Sequence, residues 1–109
     1  MKYLMVRLSD AIPERDVEYE SWYEKEHIPD LIELSGVMSG QLFRLIPDEA
    51  ASATGARRYV TLLEIETDDL ESFNESLRTR MASQVIPKLS ANVVRATYEP
   101  VTPRVESED

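Results

Sequence analysis

The sequence predicts a single α+β domain in which four antiparallel strands carry two helices on one face, in the order βαββαβ. Three observations predict it. Four β-rich segments bounded by turn residues are spread along the chain. Two longer, charged, helix-favouring segments separate the first strand from the second and the third from the fourth. Strand–helix–strand therefore occurs twice, which is the ferredoxin-like split arrangement.

Each element has a local cause. Tyr3 to Leu8 alternates and stops at Ser9-Asp10, the signature of a strand. Pro13 to about Leu34 is rich in Glu and free of glycine until Gly36, so it reads as a helix opened by a proline in its first turn. Pro29 falls inside that pattern. Its ring displaces the carbonyl four residues earlier and removes one hydrogen bond, predicting an end or kink near Lys25 to Ile28. Val37 to Ile46 and Tyr59 to Glu66 are the second and third strands, joined by a small, polar hairpin loop from Pro47 to Arg58 that is expected to be mobile. A second helix runs from about Asp69 to Met81, with Asp68 and Glu71 as a capping box and Leu70, Phe73 and Leu77 as its apolar stripe. An irregular connection containing Pro87 leads to the last strand, Asn92 to Pro100. The domain is expected over residues 1–100. Residues 101–109 form an acidic tail, frayed or lying on a partner.

Composition removes several functions. The 109 residues carry no cysteine, one histidine and 21 acids against 12 Lys and Arg, for a net charge of -9. Without cysteine there is no disulfide framework, thiolate zinc site or thiol nucleophile, and one histidine excludes a multi-histidine metal cluster. No metal and no cofactor are expected. The negative charge repels phosphate backbones, so nucleic acid is not an expected partner. No apolar run approaches a membrane span, and the N-terminal MKYLMVRLSD has no signal-peptide pattern, so no membrane partner and a cytoplasmic location are expected.

Alternate residues of a strand face opposite ways. The sets are Leu4, Val6, Leu8 against Tyr3, Met5, Arg7, and Val94, Ala96, Tyr98 against Val93, Arg95, Thr97. In the third strand, Val60 and Leu62 oppose Tyr59, Thr61, Leu63 and Ile65. The face turned away from the helices is expected to carry Tyr3, Met5, Val60, Leu62 and Val93. A patch of that kind usually marks a contact, and a second copy packed sheet to sheet, a homodimer, is the simplest cover.

The first helix carries the functional signal. At 100° per residue Tyr19, Trp22, Tyr23 and Glu26 fall in one arc, with His27 on its edge. A carboxylate among aromatic rings is expected to be partly buried with a raised pKa, beside the one side chain that ordinarily titrates near neutrality. Each has a structural alternative. The rings serve equally as core, Glu26 as the partner of an arginine such as Arg44 or Arg95, and His27 as a donor to a carbonyl freed by Pro29. With thiol, metal and phosphate chemistry set aside, proton transfer remains: His27 as general acid or base, assisted by Glu26 and Tyr23. Tyr19, Trp22 and Phe43 would wall a pocket for a small ligand, and Arg44 or Arg95 would hold its carboxylate or enolate.

WYEKEHIPDLIELSGV, residues 22 to 37, resembles the signature of the EthD-like members of the dimeric α+β barrel superfamily: an aromatic pair, an acidic stretch, His-x-Pro and a glycine before the second strand. GQLFRLIP (40 to 47) and RRYVTLLEIE (57 to 66) resemble the family's next two strands. Ser35 and Val37 depart from the residues usual around that glycine and suggest a reshaped turn. The resemblance implies a dimeric barrel with a ligand between sheet and helices, and His27 as its acid/base or substrate-orienting group. It implies, first, a small-molecule enzyme performing cofactor-free isomerisation, dehydration or cyclisation on a cyclic or aromatic intermediate. The alternatives it leaves are a non-catalytic dimeric binder or accessory protein, a cofactor-free monooxygenase and a haem-handling protein.

Overall fold

The structure, a computed structural model, describes residues 1–47 and 56–108. Strand β1 (Lys2–Ala11) leads into a helical segment built in three pieces: α1 (Asp16–Trp22), a π-helical turn (Tyr23–His27) and α2 (Ile28–Ile32). Strands β2 (Val37–Arg44) and β3 (Tyr59–Glu66) follow, then helix α3 (Leu70–Ala82) and strand β4 (Ser90–Tyr98). The sheet is antiparallel throughout, in the order β2-β3-β1-β4, which places the first and third strands at its centre. This is the βαββαβ ferredoxin-like fold expected from the sequence. Most of the Pro47–Arg58 loop, residues 48–55, lies outside the described residues.

Three local expectations are corrected. Pro13 precedes the first helix instead of opening it: residues 13–14 form a turn, with Glu14 at a positive φ of 69°, and the helix starts at Asp16. The cap of α3 is Asp69, not Asp68. Its carboxylate accepts from the Ser72 N–H at 3.0 Å and the Ser72 hydroxyl at 2.8 Å, while Asp68 lies 3.5 Å from the N-terminal ammonium. Pro29 does not end the helix either. The Ile28 N–H reaches back five residues to the Tyr23 carbonyl, one wide π turn absorbs the mismatch, and α-helix resumes with Pro29 in its first turn.

The sheet faces differ from expectation in a consequential way. Met5 is in the core, Tyr3 packs partly against it and Val93 turns to the helix side. In β3, Val60 and Leu62 are on the face away from the helices as expected, but β1 and β4 present their other sets there. Leu4, Val6 and Leu8 stand opposite Tyr98, Ala96 and Val94, Val6 and Leu8 stand opposite Leu62 and Val60, and Val60 stands opposite Phe43. Both sets of β1 are apolar enough to be buried, so alternation alone could not choose between them. The packing of the helices chose. The result is a broader apolar open face than the sequence reading assigned. Phe43, expected as a pocket wall, lies on that face and is 44% exposed.

The helix side holds two adjoining apolar clusters. One gathers Met5, Leu31, Leu63, Ile65, Phe73 and Leu77; the other gathers Ala11, Tyr19, Tyr23, Tyr59 and Leu89. Gly36 makes the turn into β2 at a φ of +100°, where a Cβ would also come within 3.1 Å of Phe73 and 3.2 Å of the Glu66 carbonyl. That turn lets β2 enter the sheet directly beneath the end of α2.

Candidate functional site

Between the two clusters lies a cavity of about 260 Å³, open to one side. Its walls come from β1, β3, β4 and the π turn, with α3 closing one flank. Met5, Leu31, Leu63, Leu77 and Met81 make it apolar; Arg7, Tyr23, His27, Thr61, Ser90 and Arg95 bring polar groups.

The π turn decides which side chain of the first helix enters. On a regular helix Glu26 would follow Trp22 by one turn. With the extra residue of the wide turn, His27 takes that place instead. Its ring stacks on Trp22 with centroids 4.4 Å apart and planes 14° from parallel, and meets Tyr23 edge-on at 5.0 Å. Glu26 is rotated out and exposed. The expectation of a carboxylate buried in the aromatic stripe is therefore wrong, and the 100° per residue on which it rested is the reason.

His27 Nδ1 is buried with no hydrogen-bond partner. It does not bond a carbonyl freed at Pro29. Burial pushes the imidazole pKa down to about 4, the nearby Arg7 guanidinium pushes the same way, and Asp30 opposes them weakly. Asp30 itself is held below the usual carboxylate range, chiefly by its hydrogen bonds from Arg80 at 2.6 and 3.0 Å. At neutral pH the imidazole is uncharged.

Arg7 is the residue that the sequence reading missed as a site group. It projects from the middle of β1 to the helix side and donates to the Tyr23 hydroxyl, to Ser9 Oγ at 3.3 Å and to the Tyr19 hydroxyl at 3.5 Å. Ser9 and Tyr19 share a further hydrogen bond. A lone arginine among Leu4, Met5, Val6 and Leu8 was the available signal, but it was assigned to the open face with the rest of its set. Burial raises the Tyr23 pKa, and the neighbouring Tyr19 hydroxyl adds to the effect, so Tyr23 stays protonated. Thr61, 4% exposed, lines the cavity beside Tyr23, and its hydroxyl works against that rise.

Of the residues singled out from sequence, the cavity brings together Trp22, Tyr23, His27 and Arg95. Tyr19 is fully buried behind Tyr23, stacked at 4.6 Å on Tyr23 and at 4.5 Å on Tyr59, and supports the site without lining it. Arg44 is engaged elsewhere, 2.9 Å from the Glu20 carboxylate. Glu26 and Phe43 are outside the cavity. Among the described residues no three His, Asp or Glu side chains converge as a metal site.

Fold and site define a ferredoxin-like α+β protein with a cavity between sheet and helices. No family model matches the sequence, and no curated protein matches it. Solved structures do. The haem-degrader MhuD of Mycobacterium tuberculosis, with two haems bound in its active site, superposes with a TM-score of 0.67 over 94% of this chain and 99% of its own, at 15% identity. An EthD family protein from Bacillus halodurans has a TM-score of 0.59 over 93% of this chain and all of its own, at 14% identity. HapK from Hahella chejuensis has a TM-score of 0.61 over 96% and 98%, at 13% identity. At these identities the shared property is the fold. No helix among the described residues is long and apolar enough to cross a membrane.

Proposed function

We propose that the protein is a cytoplasmic homodimeric enzyme that moves a proton on a small cyclic or aromatic molecule bound in the cavity, without a cofactor. The observation that carries this reading is the buried, unpartnered Nδ1 of His27 in a cavity with a protonated tyrosine hydroxyl and an arginine. A neutral imidazole accepts a proton from carbon. Arg7 and the Tyr23 hydroxyl then stabilise the oxyanion that develops, Arg7 by its fixed charge and Tyr23 by donating its hydrogen. The donated proton returns from the imidazolium to a second carbon or to a leaving hydroxyl, which is isomerisation or dehydration. Glu26 has no part in this scheme.

The space enclosed by this one chain, about 260 Å³, lies just below the roughly 300 Å³ at which sites for drug-sized ligands begin, which favours a ligand smaller than a tetrapyrrole.

The test is hydrogen–deuterium exchange, followed by proton NMR, on a panel of small enolisable lactones and cyclic ketones. The protein is expected to accelerate exchange on at least one of them, His27→Ala to lose about 10²- to 10⁴-fold of that rate, and Glu26→Gln to keep it. Exchange at the same rate in His27→Ala removes the acid/base role. A second reading, a non-catalytic binder, is favoured by the weak basicity of His27 in the free protein. It predicts saturable ligand binding with no exchange on any member of the panel.

The apolar open face supports the homodimer. Val6 and Leu62 are cross-strand neighbours at the centre of that face. A charge there would be buried between two sheets, so Leu62→Asp is expected to weaken self-association by about 100-fold or more. Sedimentation velocity at micromolar concentrations reads this, and a wild-type protein that sediments as a monomer throughout refutes the sheet-to-sheet dimer.

A further inference from the structure

Arg7 and Arg95 are directly opposite one another on adjacent strands, and both line the cavity. Like charges in that relation repel and destabilise a sheet, and no described carboxylate neutralises either of them. Several other arginines find acids: Arg15 pairs with Glu18, Arg44 with Glu20, Arg58 with Asp16, and Arg80 with Asp30 and Glu33. Arg7 bonds only hydroxyls, and neither Arg7 nor Arg95 has a carboxylate within ion-pair distance among the described residues. The chain has 21 acids, yet no described acid lines this cavity. In a protein of net charge -9, that exclusion leaves a local positive field.

We infer that Arg7 and Arg95 form an anion subsite that selects planar substrates bearing a carboxylate, or an oxyanion delocalised in the same way, over neutral ones of the same shape. The inference rests on the reading of the cavity as a ligand site and adds the charge class of the substrate. Arg7 sits inside, oriented by the Tyr23 hydroxyl, while Arg95 is exposed at the mouth on the edge strand. A carboxylate between them receives charge-assisted hydrogen bonds from two sides, relieves their repulsion and leaves the ring against Leu31, Leu63 and Leu77. Occupancy has a consequence for the base. The groups facing His27 are Arg7 from β1, Arg95 from β4, Tyr23 on its own turn and Asp30 on α2. An anion on Arg7 cancels part of the field that disfavours the imidazolium, so binding an anionic substrate strengthens the base that would act on it.

The experiment uses benzoate and its neutral isostere benzamide, with the fluorescence of Trp22, the only tryptophan, as the reporter. Benzoate is expected to quench saturably and benzamide to bind at least about tenfold more weakly. Arg7→Gln and Arg95→Gln are each expected to weaken benzoate by about tenfold or more and to leave benzamide unchanged. Arg95, exposed at the mouth, keeps the test valid if Arg7→Gln fails to fold. The single histidine gives one set of imidazole NMR signals, and benzoate is expected to move its titration to higher pH. Equal affinity for the two probes, no saturable benzoate signal, or unaltered benzoate binding in Arg95→Gln overturns the subsite. Benzoate selectivity without any His27-dependent exchange leaves the subsite standing and refutes the catalytic reading; His27-dependent exchange without benzoate selectivity does the reverse.

Discussion

Tyr19→Ala is expected to remove about 4 kcal/mol of folding stability, a large share of the roughly 5–15 kcal/mol that holds a domain of this size. The ring is fully buried and sandwiched between Tyr23 and Tyr59, with centroid distances of 4.6 and 4.5 Å. Alanine leaves a void that α1, pinned on both sides by neighbouring rings, cannot close. It also leaves the hydroxyl of Ser9, fully buried, without its tyrosine partner. Tyr19→Phe separates the two effects: the rings still stack, and losing the hydroxyl's bonds with Ser9 and Arg7 is expected to cost about 1–2 kcal/mol. Urea denaturation measures both. A loss under about 1 kcal/mol in Tyr19→Ala contradicts the account of the stack as the support of the site.

Stability should also fall on mild acidification because of one residue. The folded pKa of His27, about 4, lies below its ordinary 6.5. Between those values the unfolded chain binds the proton and the folded chain does not, so stability rises with pH across this window and is fully present above 6.5. Lowering the pH from 6.5 to 4 is expected to cost on the order of 3 kcal/mol. The aspartates with depressed pKa, Asp10 and Asp30 among them, lose their contribution only below their ordinary value of 3.8. Glu18, held below its ordinary value of 4.5 by Arg15, enters only at the bottom of the window, so above about 4.5 the window belongs to the histidine. His27→Phe keeps a ring against Trp22 but cannot titrate, and its midpoint temperature should be nearly flat from pH 6.5 to 4. If wild type and His27→Phe lose stability in parallel there, the imidazole is not the buried neutral group described.

The fold was legible because its causes are local. The β-rich segments, the glycine-free helical stretch and the apolar stripe of α3 each announce themselves over a handful of residues, and β3 from Tyr59 to Glu66 has the ends expected of it. The errors share one origin. Whether Met5 or Val6 is buried depends on which face the helices cover, and both sets of β1 are apolar. Whether Glu26 or His27 follows Trp22 depends on a single π turn, which the proline at 29 forces but whose form it does not dictate. Arg7 was visible as a charge in an apolar strand, and only its pairing opposite Arg95 and its bond to the Tyr23 hydroxyl make it a site residue.

By itself, then, the sequence determined the order of the elements, an irregularity of the helix just before Pro29, the absence of thiol chemistry and the position of the sole imidazole on the first helix. Those follow from backbone propensities, side-chain periodicity and composition, which act over a few residues or need no structure at all. Tertiary structure decided which faces are buried, that Glu26 is outside and that two arginines share with His27 a cavity that no described acid lines. These are long-range outcomes. They are set by how helices seat on a sheet whose two sides are both apolar, and by the lower cost of one widened turn than of an unsatisfied helix break.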